Sequence, residues 1–575
     1  MNFAALKKNL KKDVLHIPPV KVALLGDSST QLFNHALRGY GINENLNLEI
    51  FEADYDQIDQ QVMSGSSELY EFNPRFIIIF QSVEKLFAHF CEKNNQHRSQ
   101  FAADHINSVE GFIDAINGNS RCNIIYLNFA ELADNTFGHY ANKIDFSFTY
   151  QLRKINFELM DLGRKHKNFF IADLSALQNA FGRAYAHSPQ IFITTSMVHT
   201  IDFLPHVAKS CVDIIKAIQG KIKKCLILDL DNTTWGGIIG DDGMEGIQIG
   251  SLGIGEAFTQ LQRWVKQLKE RGIILAVCSK NTDEVAREPF EKHPDMILRI
   301  EDIAVFVANW ENKADNIRNI QSVLNIGFDS MVFIDDNPAE RKIVRDNLPE
   351  VTVPELPEDP AEYVGFLQSL NLFETASVTE EDGDRTKQYQ EEAKRASIKK
   401  AYTNEADFLQ SLSMTCVTRE FEKMDIPRIA QLTQRSNQFN LRTIRYTEDD
   451  LKRVTASPDQ FTLSFKLGDI FGDYGLVSAI IAEKKSDTLF IDTWIMSCRV
   501  LKRGLEQYVT NQLVEIASRH GIKKVTGEYI PTPKNGLVKD HYKNLGFVQE
   551  NNVWVLDVNS FNQFQTHIKE QENGS

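Results

Sequence analysis

One short run limits what this chain can fold into more than any other feature. Four apolar residues, Cys225–Leu228, are followed by carboxylates at Asp229 and Asp231. The apolar run is typical of a buried parallel strand, which would deliver both carboxylates to one edge of a sheet. Side chains alternate along a strand, so Asp229 and Asp231 share a face if the strand continues. Two like charges held that close are costly unless a cation or a phosphate group uses them.

Three further pieces follow this strand along the chain. A second apolar run ends at Ser279, a polar segment holds Lys313, and a third run ends in Asp335 and Asp336. A phosphoryl group in transit spreads charge over its oxygens, so it needs a metal, a lysine and hydroxyl or amide donors. A lone pair of aspartates would be an ordinary loop, but four pieces at strand ends argue against that interpretation.

In this order the pieces resemble the haloacid dehalogenase (HAD) phosphatase superfamily, whose first motif, DxDx[TV], is satisfied from Asp229 to Thr233. The resemblance implies that Asp229 is the nucleophile and that Asp231 is the general acid and then the base. It also implies that Ser279 and Lys313 hold the phosphoryl oxygens. This division suits the chemistry, because the acid has to be a different carboxyl group from the nucleophile.

The same resemblance implies a Mg2+ site at the ends of the first and third strands. Its carboxylates would be Asp229, Asp231, Asp335 and Asp336. Mg2+ binds oxygen ligands and keeps several of its waters, so a few carboxylates at one sheet edge suit it.

The spacing of the motifs predicts an open site. The gaps from Asp231 to Ser279 and from Ser279 to Lys313 leave no room for a large cap domain. We therefore expect a substrate whose phosphate is carried on a long arm or on a protein. The loop 235–237 is expected to form the rim of the mouth.

Cys278, next to Ser279, has two interpretations. Lys280 or the bound Mg2+ could activate its thiol to accept an acyl group. Alternatively, alternation along the strand turns Cys278 into the core as a small apolar residue. Cys498 lies next to Arg499, at the start of the loop that is discussed below as a binding site for CoA. Its thiol has the same two interpretations.

The 575 residues are enough for several domains, and we predict a multidomain α/β protein. The predicted parts are an SGNH-like three-layer α/β/α domain (1–218), a HAD Rossmann-like parallel-sheet domain without a large cap (219–365), a solvated helical connector (366–408), a GNAT-like α+β domain (409–560) and a polar tail (561–575).

The first part resembles SGNH/GDSL hydrolases through the run Gly26–Ser28 at the end of its first strand. Ser28 is interpreted either as a helix cap or as a nucleophile at a helix N-terminus. The family's asparagine block is missing from residues 80–83. Asn128, which follows a later strand, is the available substitute. The family's late DxxH is missing as well, since the fragment Asp202–His206 has the wrong spacing.

The last part resembles GNAT acyltransferases, which bind the pyrophosphate of acyl-CoA on a loop before a helix. Arg499 and Gly504 match the family's loop, Lys502 replaces its first glycine, and Arg503 adds a charge. The resemblance implies that CoA or a carrier's phosphopantetheine binds there. Tyr542, in a closing segment similar to the family's, is either a general acid or a packed aromatic residue.

The order of the parts identifies the chain as a member of the FkbH-like proteins, HAD subfamily IIIC. The phrases shared with them are 229–243, 277–281, 333–341, 437–441 and 496–501. This resemblance implies a phosphorylated small-molecule substrate, 1,3-bisphosphoglycerate, whose glyceryl unit is loaded onto an acyl carrier protein. Two alternatives stay open, a plain phosphomonoesterase with recruiting outer domains and a non-catalytic biosynthetic scaffold.

Composition limits the possible binding partners and the cellular compartment of the chain. The net charge of −15 provides no basic footprint for nucleic acid. No run approaches the roughly 18 apolar residues of a membrane span. The seven cysteines include no CxxC pair, which favours reduced thiols in the cytoplasm over structural zinc. The oligomeric state is not predicted.

Overall fold

The structure, a computed structural model, describes residues 1–399, 402–532, 534–551 and 553–571. It divides the chain into two compact units, residues 1–216 and 217–575. The finer division into domains remains a prediction, and the last four residues of the predicted tail lie outside the described residues. Within the described ranges, no helix combines the length and the apolarity needed to cross a membrane.

The first unit is built on five parallel strands in the order β2-β1-β3-β4-β5. Its strands are β1 Pro19–Gly26, β2 Asn47–Glu52, β3 Phe76–Phe80, β4 Asn123–Leu127 and β5 Phe169–Ala172. Its helices are α1 Phe3–Asn9, α2 Gln31–Asn43, α3 Ile58–Met63, α4 Glu68–Phe72, α5 Val83–Glu92, α6 Asn95–Arg98, α7 Phe101–Asn119, α8 Phe148–Lys165, α9 Leu174–Phe181, α10 Arg183–Ala186, α11 Pro189–Thr195 and α12 Leu204–Ile218. The β3 strand is buried along its whole length, as its unbroken apolar run predicts.

The second unit begins with four parallel strands in the order β8-β7-β6-β9. These are β6 Cys225–Leu228, β7 Ile274–Ser279, β8 Ile303–Ala308 and β9 Met331–Ile334. Its helices are α13 Ile239–Gly246, α14 Gly255–Glu270, α15 Asp283–Lys292, α16 Lys313–Leu324, α17 Pro338–Asn347 and α18 Tyr363–Leu370. Among the described residues, the helices α13 and α14 lie between β6 and β7, and α15 and a short 3-10 helix (Ile300–Asp302) lie between β7 and β8, so these connections hold no large cap.

A mixed sheet of eight strands follows, in the order β15-β16-β14-β13-β12-β11-β10-β17. Its strands are β10 Thr415–Arg419, β11 Gln460–Asp469, β12 Gly472–Lys485, β13 Thr488–Met496, β14 Lys524–Gly527, β15 Val548–Glu550, β16 Val553–Asp557 and β17 Lys569–Glu570. Its helices, numbered after a connector helix α19 (Arg385–Lys399), are α20 Glu405–Ser411, α21 Ile426–Arg435, α22 Glu448–Ala456, α23 Leu505–Arg519 and α24 His541–Asn544. Strands β10 to β13 are antiparallel, whereas β13 and β14 are parallel and joined through α23. The predicted α/β multidomain fold class is confirmed.

The prediction of a solvated connector is wrong for α19. Tyr389 is 6% exposed and Arg395 is 1% exposed. The guanidinium of Arg395 donates to both carboxylate oxygens of Asp469, at 2.8 Å each. On the other side, the Gln390 side chain donates to the backbone oxygen of Ile303 in β8, at 2.9 Å. A polar helix can be buried when distant residues supply partners for its charges.

Candidate active site

The predicted phosphoryl-transfer residues meet at the carboxyl edge of the four-stranded parallel sheet. Asp229 follows β6, Ser279 ends β7, and Asp335 and Asp336 follow β9. Lys313 is the first residue of α16, which begins there because the Asn312 side chain caps its free amides. All of these residues except Asp335, which is fully buried beneath the others, line a cavity of about 610 Å3. A cavity of this size is typical of small-molecule sites.

Lys313 pairs with two carboxylates at the floor of the cavity. Its Nζ lies 2.7 Å from Asp229 Oδ1 and 2.5 Å from Asp335 Oδ2, and its side chain is only 3% exposed. Burial alone would lower the pKa of Lys313, but the two carboxylates outweigh burial and raise it. Burial also raises the pKa of Asp229 to about 7, against the opposing pull of Lys313. One lysine therefore does not fully offset the cost of burying two carboxylate charges.

The carboxylates of Asp229, Asp335 and Asp336 suit a divalent cation. Each offers one oxygen, and these oxygens lie within 4.8 Å of one another. Burial, and then the neighbouring Asp335, raise the pKa of Asp336. Asp336 is held by Thr233, whose Oγ1 accepts from its backbone amide at 2.9 Å. The donor set fits Mg2+, which prefers carboxylate oxygens and water.

The raised pKa values predict how metal affinity depends on pH. The pKa of Asp229 is about 7, so below that pH a proton competes with Mg2+ for its carboxylate. We expect Mg2+ affinity to fall about tenfold between pH 8 and pH 6. Calorimetric titration at both values, in two buffers of different ionisation enthalpy, measures the affinity and the protons released. An affinity that stays constant with no proton release would contradict this prediction.

Asp231 is held apart from this carboxylate group. Its Oδ1 accepts from Trp235 Nε1 and from the backbone amide of Ile239, both at 3.0 Å. Its Oδ2 accepts from Asn281 Nδ2 at 2.8 Å. Asp231 was predicted both as the acid and as a metal ligand, but the carboxylates that cluster here do not include it. The geometry therefore separates a carboxyl group suited to proton transfer from those suited to metal binding.

Trp235 is not where the sequence analysis expected it. The loop 235–237 was predicted to form the rim, yet Trp235 is 0% exposed and its indole Nε1 donates to Asp231 Oδ1. The rim carries a different tryptophan, Trp310, which is 74% exposed and lines the cavity. Sequence reasoning missed Trp310 and Asn281. An isolated tryptophan between Asn309 and Glu311 was the available signal for the first.

Asn281 is expected to position the acid rather than to touch the substrate's phosphate. It donates both to Asp231 Oδ2 and to Ser279 Oγ, the latter at 3.2 Å. We expect Asn281→Ala to lower kcat about tenfold for an alkyl phosphate, since the loss of one hydrogen bond misorients the carboxyl. The loss should be smaller for p-nitrophenyl phosphate, whose leaving group needs no proton. An equal loss on both substrates would point to a general structural defect.

Cys278 lies on β7 and faces the hydrophobic core. It is fully buried, and its Sγ lies 3.8 Å from the backbone oxygen of Lys313, to which it donates. Burial raises the pKa of its thiol to about 12. Lys280, proposed as its activator, instead binds Glu340, at 2.6 Å. These observations favour the core interpretation over a reactive thiol. Cys498 is partly buried against the core of the same parallel sheet.

The cap interpretation of Ser28 in the first unit is wrong. Helix α2 begins at Gln31 and its N-cap is Thr30, whereas the Ser28 hydroxyl is buried without a hydrogen-bond partner. The sequence analysis overlooked His199, which is buried and stacked on Phe80 at 5.5 Å between ring centroids. Burial lowers the pKa of His199 to about 4, so its imidazole is neutral. The role of Ser28 as a nucleophile remains a prediction.

Asn128, the suggested substitute for the family's asparagine, is held by hydrogen bonds within the same unit. Its Nδ2 donates to Asp173 Oδ1 at 2.9 Å, and its Oδ1 accepts from the backbone amide of Ser175. The carboxylate of Asp27 accepts from the backbone amide of Ser82 at 2.8 Å. These bonds give structural roles to both residues.

The predicted CoA loop lies before α23, but its arginines already have partners. Arg499 donates to the Gln388 side chain and, at 3.3 Å, to the Tyr474 backbone oxygen. Arg503 donates to both carboxylate oxygens of Glu392, at 2.6 and 2.8 Å. Gln388 and Glu392 belong to α19. The two guanidinium groups are therefore directed toward the connector helix.

The remaining predicted residues of this domain differ in their exposure to solvent. Gly504 is the N-cap of α23, with a φ of 79° that favours glycine. Lys502 is exposed, and its backbone amide donates to Glu506 Oε1 at 3.2 Å. Tyr542 is 1% exposed, and its ring lies 5.0 Å from that of Phe547 between centroids. Burial raises the pKa of Tyr542, which favours the packed aromatic interpretation over the general acid.

Two comparisons with known proteins match large parts of the chain. Residues 21–216 match the family model described as FkbH, N-terminal domain. The chain is also similar to the N-terminal part of the protein BF1531 from Bacteroides fragilis, which contains a phosphatase domain and was solved with Mg. The identity is 51%, the match covers 66% of this chain and 100% of that one, and the TM-score is 0.64. No curated protein matches the chain.

The C-terminal part matches acetyltransferase structures only distantly. One is the ribosomal-protein-S18-alanine N-acetyltransferase from Escherichia coli, with 13% identity over 25% of this chain and 94% of that one, at a TM-score of 0.21. Another is an aminoglycoside acetyltransferase in complex with coenzyme A, with 16% identity over 25% of this chain and 95% of that one, at a TM-score of 0.20.

Proposed function

This chain belongs to the FkbH family and carries a HAD-type phosphatase domain, and on that premise we propose a two-part reaction. The chain removes phosphate from a phosphorylated acyl donor such as 1,3-bisphosphoglycerate, with Mg2+, and loads the glyceryl unit onto an acyl carrier protein. It would then be a phosphatase and glyceryl transferase of HAD subfamily IIIC. The cytoplasm, where such donors are made, is the proposed location.

One observation supports the phosphatase part above all others. Lys313 bridges Asp229 and Asp335, while Asp231 is held separately by Trp235 and Asn281. A nucleophile beside a cation and a second carboxyl kept for proton transfer are the parts that phosphoryl transfer through an aspartyl phosphate requires. Mg2+, when bound to the three clustered carboxylates, would neutralise charge on the phosphoryl oxygens.

The side chains divide the proposed phosphatase steps among them. An Asp229 oxygen bonds to phosphorus while the ester oxygen–phosphorus bond breaks, and Asp231 gives its proton to the leaving oxygen. Asp231 then takes a proton from water, whose oxygen bonds to phosphorus and releases Asp229 and phosphate. Lys313 and the Ser279 hydroxyl bind phosphoryl oxygens during both steps.

The loading part is a separate exchange at the acyl carbon. The carrier's phosphopantetheine thiolate bonds to that carbon, the acyl carbon–oxygen bond breaks, and phosphate leaves. We propose that the GNAT-like domain binds this arm or CoA near Arg499, Lys502, Arg503 and Gly504.

Two alternative functions remain. One is a plain phosphomonoesterase whose outer domains recruit the substrate, and the other is a non-catalytic biosynthetic scaffold, which the compact phosphatase site argues against.

The test incubates the full chain with 1,3-bisphosphoglycerate, Mg2+ and a phosphopantetheinylated carrier, and reads the carrier's mass. A glyceryl gain, with phosphate released, is the expected result. Asp229→Asn is the control, and with it the carrier should gain at most a phosphoglyceryl unit. Phosphate release with an unchanged carrier would reduce the function to a phosphatase, and no phosphate release from any phosphate ester would favour the scaffold.

A further inference from the structure

The N-terminal helix α1 and the turn after it carry a basic face. The first twelve residues contain four lysines and neither aspartate nor glutamate, in a chain whose net charge is −15. All four lysines are exposed, and within the described ranges no hydrogen bond or ion pair holds their ammonium groups. The basic face is defined by these residues, Lys7, Lys8, Lys11 and Lys12. It offers four unpaired cations on the surface of an acidic chain.

The opposite side of α1 fixes the basic face in place. Leu6 is 0% exposed, and the buried Asn9 donates from Nδ2 to the backbone oxygen of Gly39 in α2, at 3.1 Å. A Cβ at Gly39 would lie 2.4 Å from the backbone oxygen of Leu6, so the close approach of α1 to α2 requires glycine there. The lysines are therefore presented by an anchored helix.

The basic face is electrostatically unfavourable without a partner. Lys7 and Lys11 are four residues apart, as are Lys8 and Lys12, and like charges at this spacing repel each other. The dipole of α1 favours cations in its last turn, which accounts for Lys7 and Lys8. Lys11 and Lys12 come after the helix has ended at Asn9, where this effect has fallen off. An anionic partner would relieve the repulsion.

An exposed apolar side chain follows the basic face. Leu15 is 91% exposed, and its Cα lies at most about 11 Å from that of Lys12, because only three peptide units join them. Its backbone amide donates to Asp13 Oδ1, and the amide of Ile17 donates to the backbone oxygen of Val14, both at 2.9 Å. A single exposed leucine is ordinary, but one held in a turn next to unpaired cations is arranged as an interface anchor.

The chemistry of this surface selects its partner. A carrier protein has to arrive, deliver its arm and leave in every turnover, which a small interface dominated by charge allows, because charge speeds association without requiring a large buried area. An anionic membrane would need a broad apolar face, whereas the apolar side of α1 is packed on α2 and Leu15 stands alone. The surface therefore favours an acidic protein.

We propose that the basic face and Leu15 form the docking surface for an acidic carrier protein. The lysines face carboxylates of the carrier, and Leu15 enters an apolar depression between them. This inference rests on the proposed function, which requires a carrier, and adds the place where the carrier binds. The surface takes no part in the chemistry, so its loss weakens carrier binding and leaves phosphate ester hydrolysis as it is.

The experiment titrates the full chain with a phosphopantetheinylated acyl carrier protein of negative net charge, by calorimetry at 50 and 300 mM NaCl. The wild-type Kd should rise at least about fivefold at the higher salt, because the screening length falls from about 14 Å to about 6 Å. Lys8→Glu/Lys12→Glu should raise Kd at least about tenfold at 50 mM NaCl and remove most of the salt dependence. Leu15→Ala should raise Kd about fivefold at both salt concentrations.

Matched controls separate this surface from general effects of charge and apolarity. Lys93→Glu/Lys167→Glu reverses two exposed lysines elsewhere in the first unit and changes the net charge equally. Ile193→Ala removes an 80% exposed apolar side chain from α11. Both should bind the carrier within about twofold of wild type. Hydrolysis of p-nitrophenyl phosphate should stay within about twofold of wild type in every variant.

The outcomes separate this inference from the proposed function. If wild type loads the carrier and Lys8→Glu/Lys12→Glu binds it equally well, the inference is overturned and the proposed function stands. If wild type hydrolyses p-nitrophenyl phosphate but neither loads nor binds the carrier, the proposed loading fails and the inference fails with it. Tighter binding to vesicles of phosphatidylcholine and phosphatidylglycerol than to the carrier, lost in the same variant, would assign the surface to a membrane and overturn the inference.

Discussion

Replacing Asp229 by asparagine is expected to lower kcat for phosphate release by at least about 10^3-fold, the scale seen when a nucleophile is lost. The amide cannot form the aspartyl phosphate, and it also removes one of the three clustered carboxylates from the metal site. The measurement is steady-state release of p-nitrophenol with saturating Mg2+. This is the largest effect that we expect on activity.

The matched control is Glu245→Gln, which neutralises an exposed carboxylate on α13 outside the cavity lining. Its kcat should stay within about twofold of wild type, because exposed substitutions away from a site are usually neutral. A variant Asp229→Asn that keeps a tenth or more of the wild-type rate would show that Asp229 is not the nucleophile. Circular dichroism of both variants excludes misfolding as the cause.

Lys313→Met is expected to have the largest effect on stability. It leaves Asp229 and Asp335 buried without their shared cation, 2.7 and 2.5 Å from where Nζ stood. Losing one partner of a buried ion pair typically costs about 3–5 kcal/mol of unfolding free energy. Thermal unfolding without metal should therefore begin at a markedly lower temperature. Mg2+ should recover more stability in this variant than in wild type, because the folded state binds it.

Lys292→Met provides the comparison for this measurement. Lys292 is exposed and pairs with Glu288 at 3.0 Å, so the loss of its charge should cost at most about 1 kcal/mol. If the two lysine variants unfolded at the same temperature, the bridge between the carboxylates would contribute little to folding. If Mg2+ stabilised wild type and Lys313→Met equally, the metal and the lysine would not share the same charges.

The parallel strands and the motif residues could be predicted because their signals are local. The unbroken apolar run at β6 reflects burial on both faces of a parallel sheet, and the carboxyl edge brings Asp229 and Ser279 together whatever the loops do. The predicted order of motifs therefore places Lys313 beside Asp229 without knowledge of the helices between. The residues that meet at the floor of the cavity could therefore be named from the sequence.

The side chains around that floor could not be predicted, because their partners are distant in sequence. Trp235 was placed on the rim because it follows the aspartates, whereas its indole turns inward to donate to Asp231. Arg395 looked solvated because its neighbours are polar, yet it pairs with Asp469, 74 positions away. Ser28 looked like a cap because it ends a strand, but α2 begins three residues later.

If the loop before α23 binds an anion, as predicted, the connector helix α19 makes the two halves of the second unit thermodynamically dependent. An anion that takes Arg499 and Arg503 has to displace Gln388 and Glu392, which lie on the helix whose Gln390 is bound to β8. Part of the binding free energy is then used to loosen the packing beside the phosphatase sheet. Linkage is reciprocal, so whatever tightens that packing weakens anion binding by the same factor.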